Sequence, residues 1–489
     1  MSKRLPTTTS SFRDIIEGDY LYVDKTKYIY DLVHLPKGAW FLSRPRRFGK
    51  SLFISTLEEL FQGNRELFQG LWIDNSDYHW EANAVIRLDF SLYPSSTAEE
   101  LQSNIKRYLA FDAQRHGVSL QDGPHYAQFG DLILALSVEK QVIILIDEYD
   151  KPLIDNLDNL PEAQKILSTL KGFYGVIKAL DRYIRMSFIT GISKFSKVGV
   201  FSDLNNLTDL TLNTAFATAL GLTETEIRQN LSQNITLFAE KEDITEDTFI
   251  EQMHHWYNGF CFAPEAENVY NPFSTLHLFY NQRFSNYWFE SGSPSFLIKL
   301  IREGNFDLEE LSNLELSELA FSTYEIDKLS IIPLLFQTGY LTIKAYYPDS
   351  QGYQLGYPNF EVENAFMVYL LDAFSNTQQG LSDAHLRRLI DALRNHDLAL
   401  FFKLIGLRIS AEVKTNDGRI DSVVELDDRI YLFEFKLDKS AQIALDQMDD
   451  HAYYQKYQLH GKPIACVGVN FDTQTRTVDD WKSTEFEHL

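Results

Sequence analysis

The chain has 489 residues, which at ~150 residues per domain predicts roughly three domains. Apolar residues make up 44% and charged residues 23%, a globular composition that excludes a disordered or fibrous chain. The formal charge of −24 sets a global field against polyanions, so any nucleic-acid contact has to use a local basic or metal-lined cleft. The longest apolar runs, such as Val142–Ile146, fall far short of the ~20 residues a membrane span requires. The N-terminal MSKRLPTTTSS lacks an apolar core and reads as no secretory signal. The two cysteines, Cys261 and Cys466, exclude a disulfide framework and a four-cysteine zinc site, and fit a reducing cytosol.

In chain order, the first part alternates strands and helices. Strands are expected at Ala39–Ser43, Ala84–Ser91, Gln141–Asp147 and Tyr183–Thr190, with helices at Ser51–Phe61 and Pro161–Ala179 among those between them. That alternation predicts an α/β fold with a parallel sheet covered on both faces. The unbroken apolar run Val142–Ile146 predicts its central strand. From about Leu220 to Ala320 the pattern turns helical and aromatic, with no strand of comparable strength. A short helix (Asp327–Thr338), a strand (Gly339–Lys344), a turn and a second strand (Tyr353–Gly356) then suggest a winged-helix module. The C-terminal part reads as two helices (Val362–Ser375 and Asp383–Lys403), then strands, a helix and a last strand. The expected domains are 1–219, 220–325, 326–361 and 362–489.

Arg44-Pro-Arg-Arg-Phe-Gly-Lys-Ser51 sits between a strand and an amphipathic helix. It matches the phosphate-binding pattern G-x-x-x-x-G-K-[ST] except that Arg44 stands for the first glycine. Gly49 lets the backbone approach phosphate, and the helix N-terminus offers free N–H groups. Lys50 can reach the outer phosphates, Ser51 can ligate magnesium, and Arg46 and Arg47 add positive charge. Downstream, the apolar strand ending at Ile146 runs into Asp147-Glu148, an aspartate placed to hold hydrated magnesium and a glutamate placed to activate water. Both segments lie at C-terminal strand ends, where open α/β sheets bind ligands. Thr190, at the end of a third strand, is a candidate for sensing the γ-phosphate or the attacking water; closing a turn is an equally good account of a lone threonine.

These motifs resemble the AAA-ATPase-like family of bacterial proteins. So do Tyr22-Val-Asp-Lys-Thr26, Leu145-Ile-Asp-Glu-Tyr-Asp150, Asn205-Asn-Leu-Thr-Asp209, Trp256-Tyr-Asn-Gly-Phe260 and Tyr270-Asn-Pro-Phe-Ser274. The similarity runs from near Leu5 to about Phe289, and arginine in place of the first glycine is usual in that family. The resemblance implies a P-loop ATPase domain, with Lys50 and Ser51 for phosphate and magnesium, Asp147 for magnesium, Glu148 as base and Thr190 as sensor. It supplies no arginine finger; Arg182 and Arg185 only neighbour the right strand. The family often carries a C-terminal PD-(D/E)XK nuclease domain.

The C-terminal part has candidates for that domain. Asp421 precedes a strand, Asp427-Asp428 make a turn, and Arg429–Lys436 forms the return strand of a hairpin. Glu434 and Lys436 are two apart and share a face with Ile430 and Leu432, while Tyr431, Phe433 and Phe435 share the other. Asp421 and Glu434 can bind magnesium or manganese through oxygen, and Lys436 can position water or offset phosphate charge. The competing account is a salt bridge on a solvated sheet face. Asp, then Glu-x-Lys, resembles the PD-(D/E)XK core over about Pro358 to Trp481. Ile420 stands where the family name has proline, and Gln447 and Tyr453 sit on the following helix as in this branch. Glu412 is a further candidate ligand.

The sequence therefore leads to a cytosolic ATPase coupled to a metal-dependent nuclease acting on DNA or RNA, with ATP, Mg²⁺ and, at the nuclease site, Mg²⁺ or Mn²⁺. No membrane partner is expected, and homo-oligomerisation is left open. An ATP-switched scaffold that binds nucleic acid or protein without cleaving is the main alternative. A P-loop small-molecule kinase ranks behind it, since it leaves the second site without a role.

Overall fold

The computed structural model describes residues 3–194, 201, 204, 206–288, 314–317, 331–375, 388–389, 391–392, 395, 397–398, 400–401, 422–426, 429–451, 453–460, 462–472 and 477–486. The chain divides into two compact units, Met1–Phe366 and Met367–Leu489.

In the first unit, strands β1 (Gly38–Ser43), β2 (Val85–Asp89), β3 (Val142–Asp147), β4 (Ile184–Gly191) and β5 (Leu207–Asp209) form a sheet in the order β2-β3-β4-β1-β5. All four pairings are parallel. Every residue of β3 is buried, as its unbroken apolar run requires. Helices Ala98–Arg115, His125–Leu136 and Leu160–Ala179 cover one face, packing Leu101, Ile105, Phe129, Leu132, Ile166 and Leu170 against Ile86, Leu88, Ile144 and Ile146. Each such aliphatic side chain stabilises the fold by ~1.5–3 kcal/mol on burial. The Lys50–Phe61 helix covers the opposite face. There Phe53 meets Phe188 of β4 at 5.5 Å, and Glu58 accepts from Arg87 of β2 at 2.7 Å.

Helices Glu224–Asn230, Ser232–Glu242, Glu246–Tyr257 and Pro272–Asn281 build a second core, in which Phe238 and Phe249 stack at 4.4 Å. Two of the motifs quoted above act as joints for it. Lys25 is buried and pairs with Glu226 at 2.6 Å, while Asp24 accepts from Thr26 Oγ1 at 2.6 Å and from Trp72 N at 2.6 Å. Gly259 has φ +96°, and a Cβ there would stand 2.1 Å from the carbonyl oxygen of Pro358, so only glycine fits.

The helix and hairpin expected after residue 326 are present as Ile331–Thr338, β7 (Thr342–Tyr347) and β8 (Gly352–Gly356). The structure adds a strand that the sequence did not suggest. β6 (Leu314–Ser317) pairs antiparallel with β8, giving a three-stranded sheet, β6-β8-β7, where two strands were expected. Four residues, Leu-Glu-Leu-Ser, are too few for period-2 alternation to stand out.

In the second unit, β9 (Ser422–Glu425), β10 (Ile430–Leu437), β11 (Ile464–Asp472) and β12 (Thr477–Phe486) lie in the order β12-β11-β10-β9. β10 runs parallel to β11 and antiparallel to β9. The expected faces hold. Ile430 and Leu432 pack with Met448 and Cys466, whereas Tyr431 and Phe433 pack with Phe401 and Val467. The helix expected to carry Gln447 and Tyr453 is α-helical over Ala441–Asp450, with Gln447 on it, and Tyr453 opens a 3₁₀ segment over Tyr453–His460. β12 is also beyond the expectation. It is an edge strand with an exposed Lys482–Glu485 stretch, so tertiary pairing overrides its polar composition.

Candidate nucleotide and metal sites

β4 lies between β1 and β3, so the C-terminal ends of the strands carrying the loop, Thr190 and Asp147 are neighbours. The loop after β1 turns through Arg47 at φ +67° and Gly49 at φ +91° and enters the helix at Lys50. Around Gly49 a Cβ would meet nothing within 4 Å, so glycine is required there for its left-handed backbone and not for space.

Arg44 is 1% exposed and does not face the loop's mouth. Its guanidinium donates to the carbonyls of Ser43 (2.8 Å), Thr211 (2.9 Å) and Phe216 (3.0 Å), and lies 4.2 Å from the Phe262 ring centroid. Burial pulls its pKa down to about 9, with Asp209 opposing. The residue that departs from the general motif is thus a staple between the loop, the segment after β5 and the Phe262 tract. Restoring the motif glycine by Arg44→Gly is expected to destabilise the first unit by ~3 kcal/mol, since two buried carbonyls and one partly buried one lose their donor. Urea denaturation with a first-unit probe checks it; an unchanged midpoint would contradict the staple.

Lys50 is buried, and its Nζ donates to the carbonyls of Arg44 and Pro45 at 3.0 Å each. Burial lowers its pKa, against the charges of Glu148, Asp147 and Asp150. Arg46 is half-buried; its carbonyl accepts from Trp288 Nε1 at 3.0 Å. Arg47 is exposed, with its guanidinium 4.9 Å from the ring of Phe273 in the Tyr270–Ser274 motif. Ser51 opens the helix and is partly buried.

Asp147 is fully buried; Oδ1 accepts from Glu148 N at 3.0 Å, and Oδ2 has no hydrogen-bond partner among the described residues. Burial pushes its pKa up to about 6, with Ser51 the largest influence pulling it back. Thr190 is 1% exposed, and its Oγ1 likewise has no partner among the described residues. A buried, unpaired carboxylate oxygen is costly, and a dication would restore its charged form. Among the described residues no three His, Cys, Asp or Glu side chains converge as a metal cage. Magnesium keeps its waters and takes one or two carboxylates together with substrate phosphates. Ser51 and Asp147 fit this role. Glu148 is partly exposed and sits at φ +49°, a conformation that costs a non-glycine residue of order 1 kcal/mol and recurs at functional sites.

Several positioning contacts could not be read from the sequence, although Asp150 and Ser274 lie in motifs quoted above. Asp150 is buried and accepts from Ile192 N (3.0 Å), Ser193 N (2.6 Å) and Ser193 Oγ (2.6 Å), which lashes the end of β3 to the end of β4. A Cβ on Gly191 would stand 2.4 Å from Asp150 Oδ1. Trp288, besides its bond to Arg46, donates its backbone N–H to the buried Glu361 at 2.8 Å, and Glu361 also accepts from Ser274 Oγ at 2.8 Å. Gly339 lies against Pro45, which a Cβ would meet at 2.7 Å. None of these contacts has a sequence spacing from which it could be read. Arg182, in the 3₁₀ turn Asp181–Tyr183, engages the Tyr183 ring, and Arg185, at the start of β4, engages Asn83, both at the strand end away from the loop.

In the second unit, Glu434 is 1% and Lys436 8% exposed, and Lys436 Nζ donates to Glu434 Oε1 at 2.9 Å. The pair is therefore buried, not a salt bridge on a solvated face. Glu434 pairs in register with Gly468 of β11, and a Cβ on Gly468 would stand 2.3 Å from the carbonyl oxygen of Ala441. This glycine lets the Ala441–Asp450 helix cross close over the strand beside Glu434. Asp480 Oδ2 and Ser440 Oγ accept from Ala441 N (3.1 Å) and Ile443 N (3.4 Å) at the start of that helix. Gln447 is partly buried on it, and its carbonyl accepts from His451 N at 3.1 Å. Tyr453 packs under Ile430 and Leu432. Asp421 and Glu412 lie outside the described residues, as do Asp427 and Asp428; β9 begins at Ser422, opposite Phe433.

The fold and its first site define a P-loop ATPase-type domain followed by a separate α/β domain of the PD-(D/E)XK class. The family profile described as "Predicted AAA-ATPase" matches residues 6–201, and that of the PD-(D/E)XK nuclease superfamily matches residues 397–481. An uncharacterized protein in the vnfD 5′ region of Azotobacter chroococcum mcd 1 is 35% identical over 519 aligned positions, covering 97% of this chain and 98% of the relative. The chain belongs to this predicted AAA-ATPase family with a C-terminal PD-(D/E)XK domain. Among solved structures, the ORC2 protein of Aeropyrum pernix aligns at 12% identity over 71% of this chain and 90% of its own, with a TM-score of 0.30. A STAND signal-transduction ATPase with a tetratricopeptide repeat sensor from Pyrococcus horikoshii aligns at 13% identity over 79% and 47%, with a TM-score of 0.24. No helix among the described residues is long and apolar enough to cross a membrane.

Proposed function

We propose that the protein is an ATP-hydrolysing switch that controls an attached metal-dependent nuclease, acting on DNA or RNA in the cytoplasm. In the first unit Lys50 and the helix N-terminus hold the β- and γ-phosphates, with Arg46 and Arg47 adding charge at the loop. Ser51 and Asp147 hold magnesium, Glu148 orients and deprotonates water, and Thr190 Oγ1 reads the γ-phosphate or that water. In the second unit Asp421 and Glu434 hold Mg²⁺ or Mn²⁺, which supplies Lewis acidity at the scissile phosphate. Lys436 positions water or the phosphate, and Gln447 supports the site from the covering helix.

The observation that favours an enzyme over a binding scaffold is the burial of Glu434 with Lys436. A buried ion pair is often no more stabilising than apolar residues of the same size, so burying a charge pair beside a close-packed glycine is better explained by chemistry than by stability. Coupling is supported by Trp288. It ties the Arg46 carbonyl of the phosphate loop to Glu361, in the first turn of the helix Phe360–Ser375, the segment that precedes the second unit in sequence. A function in defence against foreign nucleic acid, and a homo-oligomeric state, accord with this architecture by analogy alone.

The test is to incubate the full chain with plasmid, single-stranded DNA and RNA, with Mg²⁺ or Mn²⁺, with and without ATP. Cleavage that depends on metal and changes with nucleotide is expected. Absence of cleavage under every condition, with ATP binding intact, would favour the scaffold.

A further inference from the structure

Asp89 ends strand β2 and pairs in register with Asp147 of β3. On the other side of β3, Ile146 pairs with Ile189, which puts Thr190 at the level of Asp147. Strand alternation sets the face of this row. Arg87, two residues before Asp89, reaches Glu58 of the Lys50–Phe61 helix, and Phe188, two before Thr190, meets Phe53 of the same helix. Asp89, Asp147 and Thr190 therefore stand side by side on the sheet face beneath the helix that begins at Lys50. Thr190 Oγ1 and Asp147 Oδ2, both buried, have no hydrogen-bond partner among the described residues. Asp89 is partly exposed, with Oδ1 fixed by Ser91 N (2.9 Å) and Ser91 Oγ (2.6 Å), so its charge is held in place at the mouth of the row.

We propose that Asp89 makes nucleotide binding at this site strictly dependent on a divalent metal. Its charge opposes a bare triphosphate, and it helps Asp147 hold the cation by accepting from metal-bound water. Direct ligation is not required, in keeping with the lack of a three-carboxylate cage among the described residues. The opposing positive charges at the row are Lys50 and Arg46; Asp147, Glu148 and Asp150 add to the negative side. One more fixed carboxylate thus tips the site against uncomplexed phosphate. The inference rests on the nucleotide reading above and concerns which form of the nucleotide is taken.

The experiment is equilibrium binding of labelled ATP to the full chain, with Mg²⁺ and with EDTA, for wild type and Asp89→Asn. Asparagine keeps the oxygen that accepts from Ser91 and removes only the charge. Wild type is expected to bind far more tightly with Mg²⁺. Asp89→Asn should bind ATP in EDTA about tenfold more tightly than wild type, since a full charge near the phosphates at an effective dielectric of ~20 is worth that or more. It should also need several-fold more Mg²⁺ for half-maximal binding. Asp89→Ser, which removes the charge by a different side chain, should shift the same way, and thermal unfolding verifies that both variants are folded. Folded variants with the wild-type Mg²⁺-to-EDTA ratio would overturn the inference. Wild type that binds ATP in neither condition would instead overturn the nucleotide site itself.

Discussion

Lys50→Ala is expected to lose tight ATP binding, by roughly 10- to 150-fold for the loss of one charge-assisted phosphate contact. The structure adds a second reason. Lys50 Nζ also donates to the carbonyls of Arg44 and Pro45 at 3.0 Å, so alanine leaves two loop carbonyls without that donor. Glu148→Gln separates binding from chemistry. It is nearly isosteric, leaves Lys50, Ser51 and Asp147 in place, and should bind ATP at close to wild-type affinity. Its hydrolysis should fall by ~10²–10⁴, the usual worth of a general base. Equilibrium binding and single-turnover hydrolysis of the two variants check this. Unchanged affinity in Lys50→Ala would sink the assignment of the loop, and an undiminished rate in Glu148→Gln would remove Glu148 from the base role.

Lys436 carries the second large effect. Lys436→Ala should abolish cleavage while leaving Mn²⁺ binding largely intact, because an ammonium is not a ligand; Asp421→Ala should lose both together. A solvated salt bridge would cost only ~0–1 kcal/mol to break. Here the pair is buried, with Glu434 1% exposed, so removing the lysine takes a donor and a positive charge away from a buried carboxylate. That costs ~3–5 kcal/mol in comparable pairs. Lys436→Met, which keeps the volume, and Mn²⁺ itself, which offsets the carboxylate, should each recover part of the lost stability. Calorimetric unfolding with and without Mn²⁺ reads this out, alongside the cleavage assay. ATP hydrolysis in both variants should remain at least basal, since the two chemistries are separate. Wild type that cleaves no faster than Asp421→Ala, with both metals and in both nucleotide states, would leave the scaffold.

What the residues alone determined is local. Val142–Ile146 reads as a strand buried on both faces, and it is an interior strand, fully buried between β2 and β4. Gly49-Lys50-Ser51 after an apolar strand announced the loop and the helix, and strand alternation set Glu434 beside Lys436 and opposite Phe433 and Phe435. In each case the information lies within a few residues, where backbone periodicity and side-chain chemistry act directly. Edge strands were harder: β6 is too short and β12 too polar for its pattern to show, and β6 is held by a partner distant in sequence. The tertiary structure alone decided what distant residues do to one another. Arg44 reads as a defect in the phosphate motif until Thr211 and Phe216 bring their carbonyls to it. Glu434 and Lys436 read equally well as a surface pair until a helix crosses over Gly468 and buries them. Asp89 has no motif at all, and only the in-register pairing of β2 with β3 sets it beside Asp147. Burial, register and the absence of a hydrogen-bond partner are properties of the whole packing, which residue types and spacing do not encode one segment at a time.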